Sequence, residues 1–286
     1  MMAALSAGAL APAYSLMVEP GWLEITRPIA RLAGLPAYLD GLTIAQLSDL
    51  HVTSQADAAL VRRAVDLVMG LRPDLIALTG DYVSRSADYI TMCAEALGPL
   101  EARLGVYAVL GNHDVWTDSR RVTAGLEAVG FTVLRGAAVP LDVGGRLWLA
   151  GIDDVGRTNR PGARCDAFEG LWQRTLVHGG EMLDALPPDE PRLLLVHNPD
   201  VHEVLHARRV DLALSGHTHG GQVRLPLVGA PILPSCYGSK YAHGLVQGPR
   251  WPVYVNRGIG TVPPPVRLNC RPEVTLLTLR SAPSAT

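Results

Sequence analysis

The chain has 286 residues, of which 48% are hydrophobic, and a formal net charge of −2 at pH 7. This length and hydrophobic content suffice to bury a large core without disulfide staples. The near-neutral charge excludes a global attraction to nucleic acid. The four cysteines lie far apart with no Cys-x-x-Cys pair, which excludes a zinc knuckle and a secreted disulfide framework.

The first 18 residues are uncharged and rich in alanine, leucine and methionine. They lack the basic start of a secretory signal, and they are too short and too rich in small residues for a transmembrane span of about 20 apolar residues. Three interpretations stay open for residues 1–18: the remnant of an anchor or signal, a hydrophobic tail resting on a membrane surface, and an apolar start without function.

Residues 19–280 are predicted to form one α/β domain in which short apolar strands alternate with helices. The predicted strands are 23–26, 42–48, 75–79, 106–110, 132–134, 147–150, 193–196, 212–215, 253–255 and 274–277. The predicted helices are about 57–69, 88–97, 118–129, 181–186 and 200–207.

Residues 156–190 break this alternation and are predicted to be an insertion. They carry four arginines and two large aromatic residues: Arg157, Arg160, Arg164, Arg174, Phe168 and Trp172. A lid that contacts substrate and a solvated flap both fit this composition.

Five of the predicted strands end in residue types that bind divalent metals. In chain order these residues are Asp49 and His51, Asp81, Asn112 and His113, His197, and His217 and His219. Because ligands of open α/β sheets bind beyond the carboxyl ends of the strands, we expect these side chains to meet at one sheet edge. Each has a structural explanation of its own, such as a helix cap or a core histidine. Their coincidence at five strand ends favours a binding site.

The donor types predict a hydrolytic centre with two metals. Oxygen and imidazole donors without cysteine suit manganese, zinc or iron and argue against a closed structural zinc site. Seven ligands are too many for one ion that keeps an open position. We therefore expect two divalent ions about 3.5–4 Å apart that share one carboxylate and activate a water molecule as hydroxide.

The chain resembles the calcineurin-like metallophosphoesterases in five blocks that occur in the family's order. They are Asp49-x-His51, Gly80-Asp81, Gly111-Asn112-His113-Asp114, His197 and Gly216-His217-Thr218-His219. The resemblance implies an α/β (α+β) fold in which two mixed β-sheets, flanked by helices, form a four-layer sandwich.

The same resemblance implies a role for each residue of the blocks. One metal is held by Asp49, His51 and His219. The second is held by Asn112, His197 and His217, and Asp81 bridges the two ions. His113 is implied to be the general acid that faces the leaving group, with Asp114 orienting its ring, because an imidazole protonated near pH 7 can donate to a departing oxygen.

Four segments are also similar to the membrane-associated bacterial branch of the family: 46–51, 216–222, 254–260 and 272–273. That branch includes phosphodiesterases and enzymes that cleave the pyrophosphate of UDP-diacylglucosamine; the twin-arginine signal of its exported members is absent here. The implied function is hydrolysis of a phosphodiester or pyrophosphate bond in a small substrate, either lipid-linked or a nucleotide sugar. We expect a monomer associated peripherally with the cytoplasmic face of the membrane, or a soluble cytoplasmic one, without a nucleic-acid partner.

Three residues outside the blocks are candidates for substrate contacts. Arg257 follows a strand and could bind phosphate, and Tyr241 and His243 lie in a glycine-flanked loop. Salt-bridge and packing roles are the alternatives for these residues. Two other functions also stay open, a nuclease or cyclic-nucleotide phosphodiesterase and a non-catalytic metal-binding scaffold of the same fold.

Overall fold

The structure is a computed structural model that describes residues 12–156, 166–207 and 209–282. Its strands are, in chain order, β1 (Glu24–Thr26), β2 (Ile29–Ala33), β3 (Thr43–Leu47), β4 (Leu75–Leu78), β5 (Val106–Ala108), β6 (Thr132–Val133), β7 (Ala137–Asp142), β8 (Arg146–Ile152), β9 (Arg192–Val196), β10 (Leu212–Ser215), β11 (Gly244–Gln247), β12 (Pro252–Val255) and β13 (Glu273–Ala282). The helices are α1 (Gln55–Leu71), α2 (Ile90–Leu97), α3 (Asn112–Glu127), α4 (Asp166–Asp184) and α5 (Val201–Val204). Residues 12–17 are also helical.

The strands form two mixed sheets. The first has the order β1-β13-β3-β4-β5-β6, with β2 also paired to β13. In it β3 to β6 are parallel, and β13 is antiparallel to β3. The second sheet has the order β11-β12-β10-β9-β8-β7, and its four central strands are parallel. The predicted fold class, two mixed sheets flanked by helices, is confirmed.

Alternation along the strands produces the layers. On β4, Leu75 and Ala77 belong to the core between the two sheets, whereas Ile76 and Leu78 pack against the helices α1 to α3. Successive side chains of a strand point to opposite faces, so a strand that is buried along its whole length has helices on one side and a sheet on the other. A third apolar cluster joins the outer face of the second sheet to α4, through Trp172.

Several predicted elements have other boundaries in the structure. Helix α3 begins at Asn112, but its backbone is non-helical at Asp118, with φ of −167° and ψ of 94°. The helix predicted from about 118 is therefore its second part, and residues 112–117 add a short first part that was not predicted. The helix predicted over 200–207 is reduced to the single turn of α5. Strands β2, β7 and β11 were not predicted.

The predicted insertion is only partly described. Residues 157–165 and the side chain of Phe168 lie outside the described part, as do residues 1–11. Trp172, a candidate lid residue, is wholly buried in the core, so it does not contact substrate. Among the described residues, no helix combines the length and the apolar character needed to cross a membrane.

Candidate metal centre

The seven predicted metal ligands come from both sheets, which corrects the expectation of a single sheet edge. Strands β3, β4 and β5 of the first sheet and β9 and β10 of the second lead into them. A hydrogen bond from Gln46 Nε2 on β3 to the carbonyl of Ser215 on β10, 2.9 Å long, ties the sheets together beneath the site. The carboxyl ends of both sets of parallel strands therefore open on one space.

The ligand loops have an unusual backbone. Five of the seven candidates have positive φ angles: 51° for Asp49, 48° for His51, 57° for Asp81, 72° for His217 and 51° for His219. Non-glycine residues rarely adopt this left-handed region, and each costs on the order of 1–3 kcal/mol unless its surroundings impose it. Strain concentrated at the strand ends is what a preorganised binding site requires.

Glycines allow the loops to approach each other this closely. A Cβ atom on Gly111 would lie 2.2 Å from Asp81 Oδ1, and one on Gly216 would lie 2.3 Å from Asp49 Oδ2. Both separations are far below a van der Waals contact, so a side chain at either position would push the carboxylate aside.

The first group of ligands consists of Asp49, His51 and His219. His219 Nε2 lies 3.2 Å from Asp49 Oδ1 and 3.0 Å from His51 Nε2, and all three residues are buried. Burial lowers the pKa of His51 to about 3, so its ring is neutral at pH 7 and offers a lone pair.

The second group consists of Asp81, His197 and His217. His197 Nε2 lies 3.2 Å from Asp81 Oδ2 and 3.3 Å from His217 Nδ1. His197 Nδ1 lies 2.7 Å from the carbonyl of Thr79, to which it donates its proton, so Nε2 is directed into the site. Burial lowers the pKa of His217 to about 3 and keeps that ring neutral.

Asp81 lies between the two groups. Its Oδ2 is 3.5 Å from His51 Nε2 of the first group and 3.2 Å from His197 Nε2 of the second. Burial disfavours charge on His197, yet the carboxylates of Asp81 and Asp49 hold its pKa well above the usual value. Two buried carboxylates thus draw positive charge into the site.

Unpaired polar atoms indicate that the centre fits metal ions. The side-chain oxygen and nitrogen of Asn112 are both buried without a hydrogen-bond partner. Such groups are costly unless something satisfies them. Donor atoms of Asp49, His51 and His219, and separately of Asp81, His197 and His217, lie within 4.8 Å of one another.

His113 borders the centre with a fixed ring. Its Nδ1 lies 2.9 Å from the carbonyl of Ser84, and its ring meets that of His51 edge-on with centroids 4.7 Å apart. Trp116 covers another side of the ring at 4.5 Å. Because Nδ1 donates to Ser84, the other nitrogen, Nε2, is left to carry and release a proton.

Asp114 does not orient the His113 ring, which corrects the expected role. Its two carboxylate oxygens accept backbone N–H groups of Asp81, Gly111, Tyr82 and Val83 at 2.8–3.3 Å. Asp114 therefore holds the loop that carries Asp81 and caps the start of α3, while the Ser84 carbonyl orients His113.

A cleft of about 540 Å³ adjoins the centre. Its floor includes Asp81, Asn112, His113, His217 and His219, and its walls are almost entirely apolar: Trp116, Val223, Pro231, Ile232, Pro234, Val262, Pro263, Pro264 and Val266. No lysine or arginine is among its described lining residues. The valine and proline run at 262–266 is plain in the sequence, but only the fold places it beside the histidines.

Arg257 and Tyr241 do not have the predicted substrate contacts. The Arg257 guanidinium binds Glu273 at 3.0 Å and Glu24 at 2.8 Å, so its charge is already paired. Tyr241 is wholly buried and donates its hydroxyl to Glu203 at 2.7 Å.

His243 is half-buried and is not among the residues that line the cleft, although the neighbouring carbonyl of Ala242 accepts a hydrogen bond from Thr218 at 2.8 Å. The structure therefore brings none of the three candidate substrate contacts into the cleft.

Comparison with known proteins gives consistent matches. A family model described as calcineurin-like phosphoesterase matches residues 42–221. The chain is 33% identical to the uncharacterized metallophosphoesterase YkuE of Bacillus subtilis, covering 98% of this chain and 95% of that protein. It is 35% identical to the phosphodiesterase YaeI of Escherichia coli, covering 93% and 92%. An uncharacterized metallophosphoesterase of Aquifex aeolicus is 32% identical, with 94% and 95% covered.

Proposed function

This chain belongs to the calcineurin-like phosphoesterase family and hydrolyses phosphate esters, and from that premise we propose that it is a two-metal enzyme for phosphodiester or pyrophosphate bonds. Its substrate is proposed to be a small, lipid-linked molecule. The observation that supports this choice is the apolar wall of the cleft that His113 also lines.

We assign the ligands of the two ions from the two groups described above and from the resemblance. Asp49, His51 and His219 would hold one ion, and His197 and His217 the other, together with Asn112, whose side-chain oxygen and nitrogen are buried and unpaired. Asp81, the carboxylate between both groups, would be shared. When bound, such ions supply Lewis acidity at the phosphoryl oxygen and make water a nucleophile near neutral pH.

His113 is proposed to hold the proton that the leaving oxygen needs. The Ser84 carbonyl accepts from Nδ1 at 2.9 Å and so fixes the orientation of the ring, which leaves Nε2 to face the leaving oxygen. The proton on Nε2 then passes to the departing oxygen, which leaves as an alcohol or as a phosphate and not as a strongly basic alkoxide.

The cleft favours a substrate with an apolar group. Walls of valine, isoleucine and proline gain free energy when they cover hydrocarbon, at about 25 cal/mol per Å² of apolar surface. A nuclease needs cations along its groove to follow the phosphate backbone, and the described lining offers none. We therefore propose a monomer that acts on a lipid-linked phosphoester at a membrane surface, with a nucleotide sugar as the head group to be tested.

A substrate panel tests this function. The enzyme, loaded in turn with Mn²⁺, Zn²⁺ and Mg²⁺, is assayed on a phosphomonoester, a soluble diester, a UDP-linked lipid, a diacyl phosphodiester and a cyclic nucleotide. We expect the highest kcat/KM on an acylated diester or pyrophosphate. A higher value on the monoester or the cyclic nucleotide would overturn the proposed substrate class, and the His113→Ala variant, assayed beside it, controls for contaminating phosphatases.

A further inference from the structure

An apolar surface adjoins the cleft. We call it the apolar rim and define it as residues 16–18, 225–228, 231–232 and 263–265, all of which are exposed. Leu227 is fully exposed, and Met17, Val228 and Ile232 are 82%, 71% and 64% exposed. Single exposed apolar side chains are ordinary, but a group of this kind beside a site marks an interaction surface.

Backbone hydrogen bonds hold the parts of the rim side by side. The N–H of Arg267 donates to the carbonyl of Ser15 at 2.9 Å, and the N–H of Arg224 donates to that of Leu268 at 2.8 Å. The N-terminal segment and the 225–228 turn are therefore both attached to the loop that supplies the cleft wall at 262–266. Ile232 and Pro263 belong to the rim and to the cleft lining alike, so the two surfaces are continuous.

The side chain at the tip of the rim, Leu227, does not stabilise the fold. Leu227 lies in a tight turn closed by two hydrogen bonds between Leu225 and Gly229, with a φ of 66°. Asparagine or glycine takes this left-handed conformation with less strain, and either would suit water better than leucine. A fully exposed leucine in a strained position gains stability only when something apolar covers it.

The charged residues near the rim indicate what kind of surface covers it. Residues 212–272 contain no aspartate or glutamate, and two half-buried arginines, Arg224 and Arg271, flank the rim segments 225–228 and 263–265 in the sequence. Arg224 precedes the tip, and Arg271 stacks on the half-exposed Trp22 at 4.2 Å; neither has an ion pair with a described carboxylate. Apolar side chains flanked by arginine and tryptophan are the composition of a surface that enters the interface of an anionic bilayer.

We propose that the apolar rim inserts into the surface of an anionic membrane, so that the cleft opens onto the lipid. The benefit of such binding rests on the proposed function, because a lipid-linked phosphoester would then enter the cleft without crossing water. Membrane binding itself needs only the rim and does not require catalysis.

Vesicle binding by the full chain tests the rim. The protein is sedimented with vesicles of phosphatidylcholine alone and of phosphatidylcholine mixed with phosphatidylglycerol. We expect binding to the mixed vesicles and at least about a tenfold loss of affinity in L227D/V228D, since each side chain loses its burial in lipid. Val177→Asp is the matched control, because Val177 is equally apolar and 51% exposed but lies on α4 outside the rim; its binding should be unchanged.

Two further measurements separate this proposal from others. Arg224→Gln should reduce the preference for phosphatidylglycerol while the enzyme stays folded. All variants should hydrolyse a soluble chromogenic diester at the wild-type rate. If the wild-type protein does not hydrolyse any diester, the proposed function is wrong, but the vesicle experiment still tests whether the rim binds membranes.

Failure of the wild type to bind vesicles, or equal binding by L227D/V228D, would overturn the proposal. A wild-type dimer that L227D/V228D converts to a monomer would also overturn it, because the rim would then be covered by a second copy of the chain.

Discussion

Asp81 lies between the two halves of the candidate metal centre, with its Oδ2 3.5 Å from His51 Nε2 and 3.2 Å from His197 Nε2. We predict that Asp81→Asn loses both ions as well as activity, because a neutral amide cannot hold two cations. Elemental analysis of the purified variant measures this. Asp153→Asn, a carboxylate that binds Arg135, is the control; two ions per chain in Asp81→Asn would refute the shared role.

His113 is predicted to affect the chemistry and not the metals. His113→Ala should keep the metal content of the wild type and reduce turnover by about 10²–10⁴-fold on esters with poor leaving groups. Esters of nitrophenol, which leaves without a proton, should be much less affected. His178→Ala, at an exposed position of α4, is the matched control. Equal losses on both kinds of ester would contradict a general-acid role.

Asp114 is predicted to act through the backbone that it holds. In the wild type both carboxylate oxygens of Asp114 accept hydrogen bonds from backbone N–H groups. In Asp114→Asn one of these oxygens is replaced by an N–H₂ group that cannot accept, so at least one buried N–H is left unpaired. We expect the free energy of unfolding to fall by about 1–3 kcal/mol and metal affinity to fall with it. Chemical denaturation measures the first and metal titration the second; unchanged stability would show that another group holds the loop.

At the residue level, the residues that meet in the candidate metal centre were predictable because their residue types and order are a local signal; their roles as ligands stay a prediction. The partners of Arg257 and Tyr241 were not. Glu273 and Glu24 lie 16 and 233 positions from Arg257, and Glu203 lies 38 positions from Tyr241. A sequence shows that an arginine follows a strand, but not whether a distant carboxylate has already paired with it.

Among the elements, the loop after β12 braces the metal centre from behind. The N–H groups of Ile259 and Gly260 donate to the carbonyls of Ser48 and Asp49, at 3.0 and 2.7 Å, and a Cβ atom on Gly258 would lie 2.6 Å from the Cβ of Asp49. The Arg257–Glu273 ion pair joins this loop to the start of β13. The loop thereby supports the strained backbone of Asp49.

The loop gives Arg257 a structural role that a variant can distinguish from substrate binding. Arg257→Ala leaves the buried carboxylate of Glu273 without its cation, so we predict a loss of about 3–5 kcal/mol in the free energy of unfolding. KM should stay unchanged once the variant is folded and loaded with metal. A large rise in KM with normal stability would restore the substrate contact that the sequence suggested.

The elements that were missed lack the expected patterns. Strand β7 is an edge strand with Pro140 inside it, and proline usually argues against a strand. Strand β11 is also at an edge, is only four residues long and begins with Gly244. Helix α3 starts early because Gly111 and Asp114 cap it, although Asn112 and His113 read as a loop.

For the whole molecule, the metal ions would link the two sheets, because each ligand group contains residues from both sheets. Removing the ions with a chelator should therefore lower the Tm, since ions that bind only the folded state stabilise it by about 2.7 kcal/mol at one hundred times their Kd. Differential scanning calorimetry with and without chelator checks this. An unchanged Tm would show that the sheets hold together without the ions.

The affinity for the metal ions that link the sheets should decrease in acid. Histidine ligands bind metal only when neutral, so protons compete with the ions. Because the carboxylates of Asp81 and Asp49 hold the pKa of His197 well above its usual value, protons compete first at this ligand, whereas His51 and His217, with pKa values of about 3, stay neutral until strong acid. The metal-dependent part of the stability is therefore largest above the raised pKa of His197 and is lost in steps as the pH falls through it and then towards about 3. Metal content after dialysis across this range measures the loss, with chelated protein as the reference.

The fold class could be predicted from the whole chain, but which strands belong to which sheet, and where the two sheets contact each other, could not. The alternation of strands and helices indicates an α/β domain, and the resemblance supplied two sheets. Alternation alone does not say that β3 and β10 belong to different sheets, because that depends on contacts such as Gln46 to Ser215, 169 positions apart.

Strand β13 has a consequence for how the protein is made. It lies inside the first sheet, between β3 on one side and β1 and β2 on the other, although it is the last strand described in the chain. During synthesis β3 leaves the ribosome early, and more than two hundred residues follow it before this neighbour is made. Until then the edge of β3 is open to other chains, so shortening the protein before β13 is expected to yield aggregates and not a smaller enzyme.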